Sequence, residues 1–258
     1  MGLGDDLMVT GEVKILAKTI NRKIAVKMDK NRQRWSEVFF NNPNMATIEE
    51  VKRGALVHWI GANAGRRYRA SETKEKRTWT NVGPSVGEFF FTDEEIKYGI
   101  DNAGKIGRDA VIIEPNLKQI ATVNKDWGWP NWEKLVSLAP DVNWVQISKP
   151  EYKKIKGINV IQPPSFRHAA SLISNIALCV LPEGGLHHAA AAVNKKAVVI
   201  FGGYISPVQT GYPIHVNIFT GGTPCGMKIK CSHCTAAMNR ITPEIIRDWV
   251  YALKAGKV

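Results

Sequence analysis

The sequence predicts an α/β protein. Its second half reads as a Rossmann-like parallel sheet with helices on both faces, joined to a smaller α/β first half. Three observations support this. Between Asp109 and Gly203, apolar runs such as "DAVIIEP", "IALCVLP" and "KAVVIFGG" alternate with stretches at helical spacing, the pattern of strands buried on both faces. The chain has 258 residues, 44% hydrophobic and 22% charged, which suits one large or two modest soluble domains. No apolar run approaches the roughly 20 residues of a spanning helix. Acids stand near the N-terminus where a secretion signal carries basic residues, so a cytoplasmic location is expected.

The elements follow in order. "DLMVTGEVKILAKT" predicts a helix, "RKIAVKMD" a strand, "RWSEVFFNNP" a short helix ending in a turn at Asn42-Pro43, and "ALVHWIG" a second strand. "TDEEIKYGIDNAG" predicts a helix capped by Thr92, with acids in its first turn and glycine behind it. "NAGKIGRD" is the expected linker between a first domain at 1–105 and a second at 106–258. The second domain then reads as the strand "DAVIIEP", the amphipathic helix "WPNWEKLVSLA", and the strands "VNWVQISK" and "INVIQPP". It continues with the Ser165-capped helix "SFRHAASLISN", the strand "IALCVLP", the helix "LHHAAAAVN" and the strand "KAVVIFGG". Thr242 and Pro243 open a final helix, "TPEIIRDWVYALKAG".

Ligands in such sheets sit beyond the C-terminal ends of the strands, and three stretches fall at such ends or at a helix start. In "VLPEGGLHHAAAAV", Gly184 and Gly185 let a ligand approach the backbone at the start of a slim helix. Glu183 is suited to accepting hydrogen bonds from sugar hydroxyls, and His188 to donating to a phosphate or hydroxyl. In "EPNLKQIATVNKDWGWPNW", a polar loop delivers Lys125, suited to neutralising a diphosphate. In "MGLGDDLMVTGE", a glycine turn enters a helix with Asp5 and Asp6 in its first turn, a placement that the helix dipole alone also favours.

The formal net charge of +12 favours an anionic partner. The densest cluster, "GRRYRASETKEKRTW", holds Arg66, Arg67, Arg69, Lys74, Lys76 and Arg77, and reads equally as a solvated loop or an anion-binding one. Cys179 is expected to be a buried small hydrophobe. Cys225, Cys231 and Cys234 gather in "CGMKIKCSHC", at a spacing unlike a standard zinc site. A structural zinc on these three cysteines is one reading, with His233 expected to stand aside because Cys234 is its direct neighbour.

Taken together, "GLGDDLM", "NKDWGWPNW" and "EGGLHHAAAAVNKKAVVIFGG" resemble, in order, the motifs of the family-nine glycosyltransferases, the group containing the ADP-heptose:lipopolysaccharide heptosyltransferases. "PCGMKIKCSHCTAAMNRITPEII" is similar to the cysteine-containing tail before that family's last helix. The resemblance covers almost all of the second half and the first dozen residues, and the rest only loosely. It implies a GT-B architecture, two Rossmann-like domains with parallel sheets facing a cleft. It also implies inverting transfer from a nucleotide-sugar, with no cofactor needed for the chemistry. Asp5 then matches the general base, with Asp6 next in line, and Lys125 matches the lysine on the donor phosphate. Glu183 matches the acid that contacts the donor, while Gly184, Gly185 and His188 complete its turn. The shortened first half would take the acceptor, with Arg66, Arg67 and Arg69 facing its negative charge. Glutamate stands at 183 where the family has aspartate, and no acid for the nucleotide ribose is recognisable between Ser148 and Pro164.

The acceptor expected from the resemblance is a surface glycan such as lipopolysaccharide core, reached by peripheral membrane contact. A hydroxylated base in phage-type DNA is the alternative that the basic charge would suit. A non-catalytic nucleotide-sugar-binding protein is another. A NAD-dependent oxidoreductase is disfavoured because no G-x-G-x-x-G follows a strand.

Overall fold

The computed structural model describes residues 2–28, 32–61, 63–117 and 123–257. Asp29, at the end of the first expected strand, and residues 118–122 of the lysine loop lie outside the described residues. The first half contains α1 (Leu3–Leu16), β1 (Ile24–Lys27), β2 (Gln33–Arg34), α2 (Ile48–Lys52), β3 (His58–Gly61), β4 (Arg69–Glu72), β5 (Arg77–Trp79) and α3 (Asp93–Ile106). The second contains β6 (Val111–Ile113), α4 (Trp129–Leu138), β7 (Trp144–Ile147), β8 (Asn159–Ile161), α5 (Phe166–Ser174), β9 (Leu178–Pro182) and α6 (Gly185–Ala192). It ends with β10 (Ala197–Phe201), α7 (Pro207–Thr210), β11 (Val216–Phe219), α8 (Ser232–Asn239) and α9 (Pro243–Lys254).

The second half forms a six-stranded sheet in the order β11-β10-β9-β6-β7-β8, parallel at every pairing. Counted from β6, this is the doubly wound order 3-2-1-4-5-6, whose switch point lies between β6 and β9. Period-two alternation sends Ile112, Cys179, Leu181, Val199 and Phe201 to one buried face, with α5 and α6. Val111, Ile113, Val180, Val198 and Ile200 go to the other face, with α4 and α9. Because both faces are covered, β6, β9 and β10 read as unbroken apolar runs. β11 is a sixth strand beyond the five expected; its half-buried "VNIF" lacks the run of buried residues that marks β6, β7, β9 and β10.

The first half is smaller and mixed. Its sheet has the order β2-β1-β3, with β1 parallel to β3 and antiparallel to β2, so only part of it matches the expected parallel arrangement. The segment 69–79, expected as a basic loop, forms the antiparallel β4–β5 hairpin. Most of the expected linker, Asn102 to Asp109, is the last turn of α3 and its exit.

Arg167 fastens the first half to the second. From α5 its guanidinium pairs bidentately with Glu95 of α3 at 2.6 and 2.7 Å, and donates to the Phe90 carbonyl at 2.6 Å. It is 3% exposed and lies over Phe40, Phe89 and Phe91. A charge buried this deeply is tolerated because its partners satisfy it. The Thr92–Glu95 capping box that starts α3 holds the Glu95 carboxylate in place.

Candidate active site

The buried strand β9 delivers Glu183 to the C-terminal edge of the sheet, next to the switch point, and the Gly184–Gly185 turn opens α6 directly behind it. The short 3-10 turn Val123–Lys125 brings the Lys125 ammonium onto Glu183 Oε2. The side chains are 13% and 5% exposed, so this is a largely desolvated ion pair. Burial disfavours the Glu183 carboxylate, but the charge and hydrogen bond of Lys125, with smaller contributions from His187 and Thr210, together outweigh it and hold the pKa below the usual range. Lys125 also lies over the Tyr204 ring, 5.4 Å from its centroid.

Two histidines back the pair. His187 accepts the Gly184 N–H at Nδ1 (2.9 Å) and meets the Thr210 carbonyl at Nε2 (2.8 Å). A carbonyl can only accept, so Nε2 carries the proton and the ring is neutral. Burial holds its pKa down. His188 pairs with the Tyr212 hydroxyl at 2.8 Å, and burial holds its pKa well below 6.5. Glu183, His187 and His188 carry ligand-type atoms within 4.8 Å of one another. Both nitrogens of His187 are already engaged, so this trio is a poor metal cage.

The N-terminus of α1 abuts that of α6. A Cβ on Gly4 would lie 2.7 Å from the His188 ring and 3.3 Å from Gly185 Cα, so only glycine permits this approach. Asp5 follows. Its Oδ2 accepts two bonds from Arg66 (2.9 and 2.7 Å) and one from the Gly2 N–H (3.0 Å), and its Oδ1 accepts from Tyr68 (2.8 Å). Burial alone would raise the Asp5 pKa, but Arg66 reverses this and the net shift is downward. The Tyr68 hydroxyl is held well above its ordinary pKa by burial, then by the charges of Asp5 and Glu183. Tyr68 is thus the electrostatic link between Asp5 and the Lys125–Glu183 pair. Asp6 points elsewhere. Both of its oxygens are taken by Arg34, at 2.6 and 2.5 Å, and it is 1% exposed.

A cleft of about 830 Å³ runs along the switch point. Glu114, Ser148, Lys149, Phe166 and Gly185 line its second-half wall, with Arg34 and Trp35 opposite. Glu114, the first residue beyond β6, has its pKa pushed up to about 8 by burial, against the partial pull of Lys149. Another cavity, of about 510 Å³, lies at the N-terminal ends of β7 and β8 and is lined by none of these site residues.

Lys125, Glu183, Gly184, Gly185, His188 and Asp5 are therefore gathered where the two halves meet. The arginines of the basic cluster are paired, whereas Lys74 and Lys76 stand exposed. Arg66 pairs with Asp5, Arg67 with Glu12, and Arg69 and Arg77 with Glu72. Cys225, Cys231 and Cys234 do gather: the Cys225 sulfur is 3.7 Å from that of Cys231 and 3.1 Å from that of Cys234. His233, expected to stand aside, has a ring nitrogen within 4.8 Å of the Cys225 and Cys234 sulfurs. As expected, Cys179 is fully buried. Sequence reasoning missed Tyr68, Arg34, Arg167 and Glu114. Of these, only Glu114 carried a signal: an acid ending an apolar strand.

The sequence matches the model of glycosyltransferase family 9 (heptosyltransferase) over residues 84–242. The chain belongs to that family. It is a glycosyltransferase, and its fold is similar to that of a family 9 glycosyl transferase from Veillonella parvula DSM 2008, with a TM-score of 0.64 at 12% identity, covering 99% of this chain and 95% of that one. It also matches E. coli ADP-heptose lps heptosyltransferase II (TM-score 0.49, 17% identity, 67% of this chain and 55% of that one). A further match is E. coli heptosyltransferase WaaC with ADP (TM-score 0.45, 13% identity, 61% of this chain and 48% of that one). The family-9 chain described here thus spans only about half the length of the two E. coli enzymes. No curated protein matches it. Among the described residues of this glycosyltransferase, no helix is long and apolar enough to cross a membrane.

Proposed function

We propose that this glycosyltransferase binds a nucleotide-sugar at the switch point and transfers the sugar, with inversion, to a hydroxyl of an acceptor held against its first half, residues 1–105. The supporting observation is the desolvated Lys125–Glu183 pair at the meeting of the α1 and α6 N-termini. A departing diphosphate needs positive charge and N–H donors in a low-dielectric site, and Lys125 with the first turn of α6 offers both. Once the phosphate draws the ammonium away, Glu183 is free to accept from sugar hydroxyls. Asp5, ionised and oriented by Arg66 and Tyr68, takes the proton of the acceptor hydroxyl as the new C–O bond forms. Its depressed pKa suits a transfer late in the step, when the attacking hydroxyl has become acidic. Asp6 serves Arg34 and the cleft wall instead.

A glycan acceptor such as lipopolysaccharide core, met at the cytoplasmic face of a membrane, fits better than DNA. Each of the four arginines of the basic cluster is already engaged by a carboxylate, Asp5, Glu12 or Glu72, whereas a polyphosphate backbone calls for free cations. On this reading Arg66 positions Asp5, while Arg67 and Arg69 border the acceptor side. The three cysteines hold a structural metal ion, zinc being suited to thiolates.

A thermal-shift panel of nucleoside diphosphates and nucleotide-sugars tests the donor reading. A ligand at 100 times its Kd stabilises the fold by about 2.7 kcal/mol. One nucleotide class is expected to raise Tm by several degrees, and Lys125→Ala to abolish that rise. If no member of the panel shifts Tm, the reading fails.

A further inference from the structure

The 225–231 loop is tied to Lys125 from two directions. Asn124, 5% exposed and next to Lys125 in the chain, spends its whole side chain on this loop. Its Nδ2 donates to the Met227 and Ile229 carbonyls at 2.6 Å each, and its Oδ1 accepts the Cys231 N–H at 3.2 Å. On the other side, the Cys225 and Gly226 N–H groups donate to the Gly203 and Tyr204 carbonyls at 2.8 and 3.0 Å, and the Tyr204 ring lies under the Lys125 ammonium. The same loop accepts the Arg77 N–H at the Gly226 carbonyl (2.9 Å). It is thereby joined to the hairpin that follows Arg66 and Tyr68.

The Lys228 N–H, on the Glu75 carbonyl at 2.8 Å, ties the loop to the hairpin a second time, and the cysteines bring its two ends together. Thiolates about 2.3 Å from a shared zinc at tetrahedral angles lie roughly 3.8 Å apart, and the observed separations are 3.7 and 3.1 Å. His233 donates Nε2–H to the Gly221 carbonyl at 2.9 Å, which leaves Nδ1 with its lone pair, the usual arrangement of a metal-binding imidazole. Cys225, Cys234 and His233 therefore offer three zinc-type ligands within 4.8 Å of one another, and Cys231, with its sulfur 3.7 Å from that of Cys225, is the fourth.

We infer that a metal ion held by these four residues fixes the 225–231 loop and, through Asn124 and Tyr204, sets the position of Lys125, so that metal loading governs the donor site. This rests on the donor reading above only for its functional consequence; the coupling itself is structural. Without the ion, the four ligands no longer share one centre and the loop loses its internal constraint. The carbonyls that hold Asn124 then move with it, and Lys125 leaves Glu183.

The test uses the full chain as purified, stripped with a chelator, and reloaded with zinc. Elemental analysis should find one zinc per chain in the reloaded protein. Hydrogen exchange at residues 123–127 should accelerate at least tenfold on stripping and return on reloading. Asn124→Ala should keep the zinc yet show the fast exchange without stripping, which separates coupling from loss of the metal. ADP affinity, measured by calorimetry, should fall about tenfold in both the stripped protein and the variant. Absence of bound zinc after reloading, or exchange at 123–127 that ignores stripping, overturns the inference. If loaded protein does not bind ADP but exchange responds as expected, the coupling stands and only ADP as the departing diphosphate is refuted.

Discussion

Replacing Lys125 by methionine keeps the length of the side chain and removes its charge, leaving Glu183 alone in a site where it is 4% exposed. An unpaired carboxylate so buried takes up a proton rather than stay charged. The cost follows from the proton: about 1.36 kcal/mol for each pH unit above the ordinary carboxyl value of 4.5. That gives about 3.4 kcal/mol at pH 7 and about 0.7 kcal/mol at pH 5. The sign is that of an acid whose folded pKa is raised: stability is intact below pH 4.5 and lost as pH climbs. Urea unfolding of wild type and Lys125→Met from pH 5 to pH 8 should show the gap widening steadily. Adding Glu183→Gln removes the titrating group, so the double variant should recover most of the loss at pH 7 and track wild type across pH. A single variant that loses less than about 1 kcal/mol at pH 8, or whose loss is independent of pH, would refute a desolvated Lys125–Glu183 pair.

Three further outcomes are expected. Gly65→Ala places a Cβ 2.0 Å from the Asp5 carbonyl oxygen, so the segment carrying Arg66 and Tyr68 must retreat. A stability loss of about 1–3 kcal/mol should accompany a rise in the Asp5 pKa, read by carboxyl NMR. Burial holds His215 neutral, its pKa lowered from 6.5 to about 3. Its contribution is therefore full above pH 6.5 and lost as pH falls, and His215→Leu should out-stabilise wild type by about 3 kcal/mol at pH 4 relative to pH 7. Glu114, with its pKa raised to about 8, is most stable protonated. Glu114→Gln should match wild type near pH 5 and gain in Tm between pH 6 and 8 in thermal scans.

The parallel sheet was legible because a strand buried on both faces must be apolar throughout, and "DAVIIEP", "IALCVLP" and "KAVVIFGG" are. Glu183 and its two glycines could be read for the complementary reason: polar groups interrupting such a run need an occupation. The pairing of the basic cluster was not legible. Charge summed along a segment says nothing of partners far away in sequence, and Arg66 and Arg67 find theirs on α1, at Asp5 and Glu12. Asn124 was invisible for the same reason, since its three hydrogen bonds close only when a loop more than a hundred residues away folds over it. His233 was discounted as too close to Cys234 along the chain. At the start of α8, with the Gly221 carbonyl anchoring its Nε2, the ring stands beside the sulfurs nonetheless.

The touching of Gly4 and Gly185 limits how the molecule can move. Two helix ends in backbone contact, with no side chain between them, resist compression and sliding far more than they resist tilting. Arg167, anchored to the Glu37, Phe40 and Phe90 carbonyls as well as Glu95, pins a second point. The hairpin adds further ties, from the Arg77 N–H to the Gly226 carbonyl and from Trp79 Nε1 to the Tyr204 carbonyl, so the halves are held at several separate places. Asp5 and Glu183, lying among these ties, would then keep their spacing while the outer rims breathe.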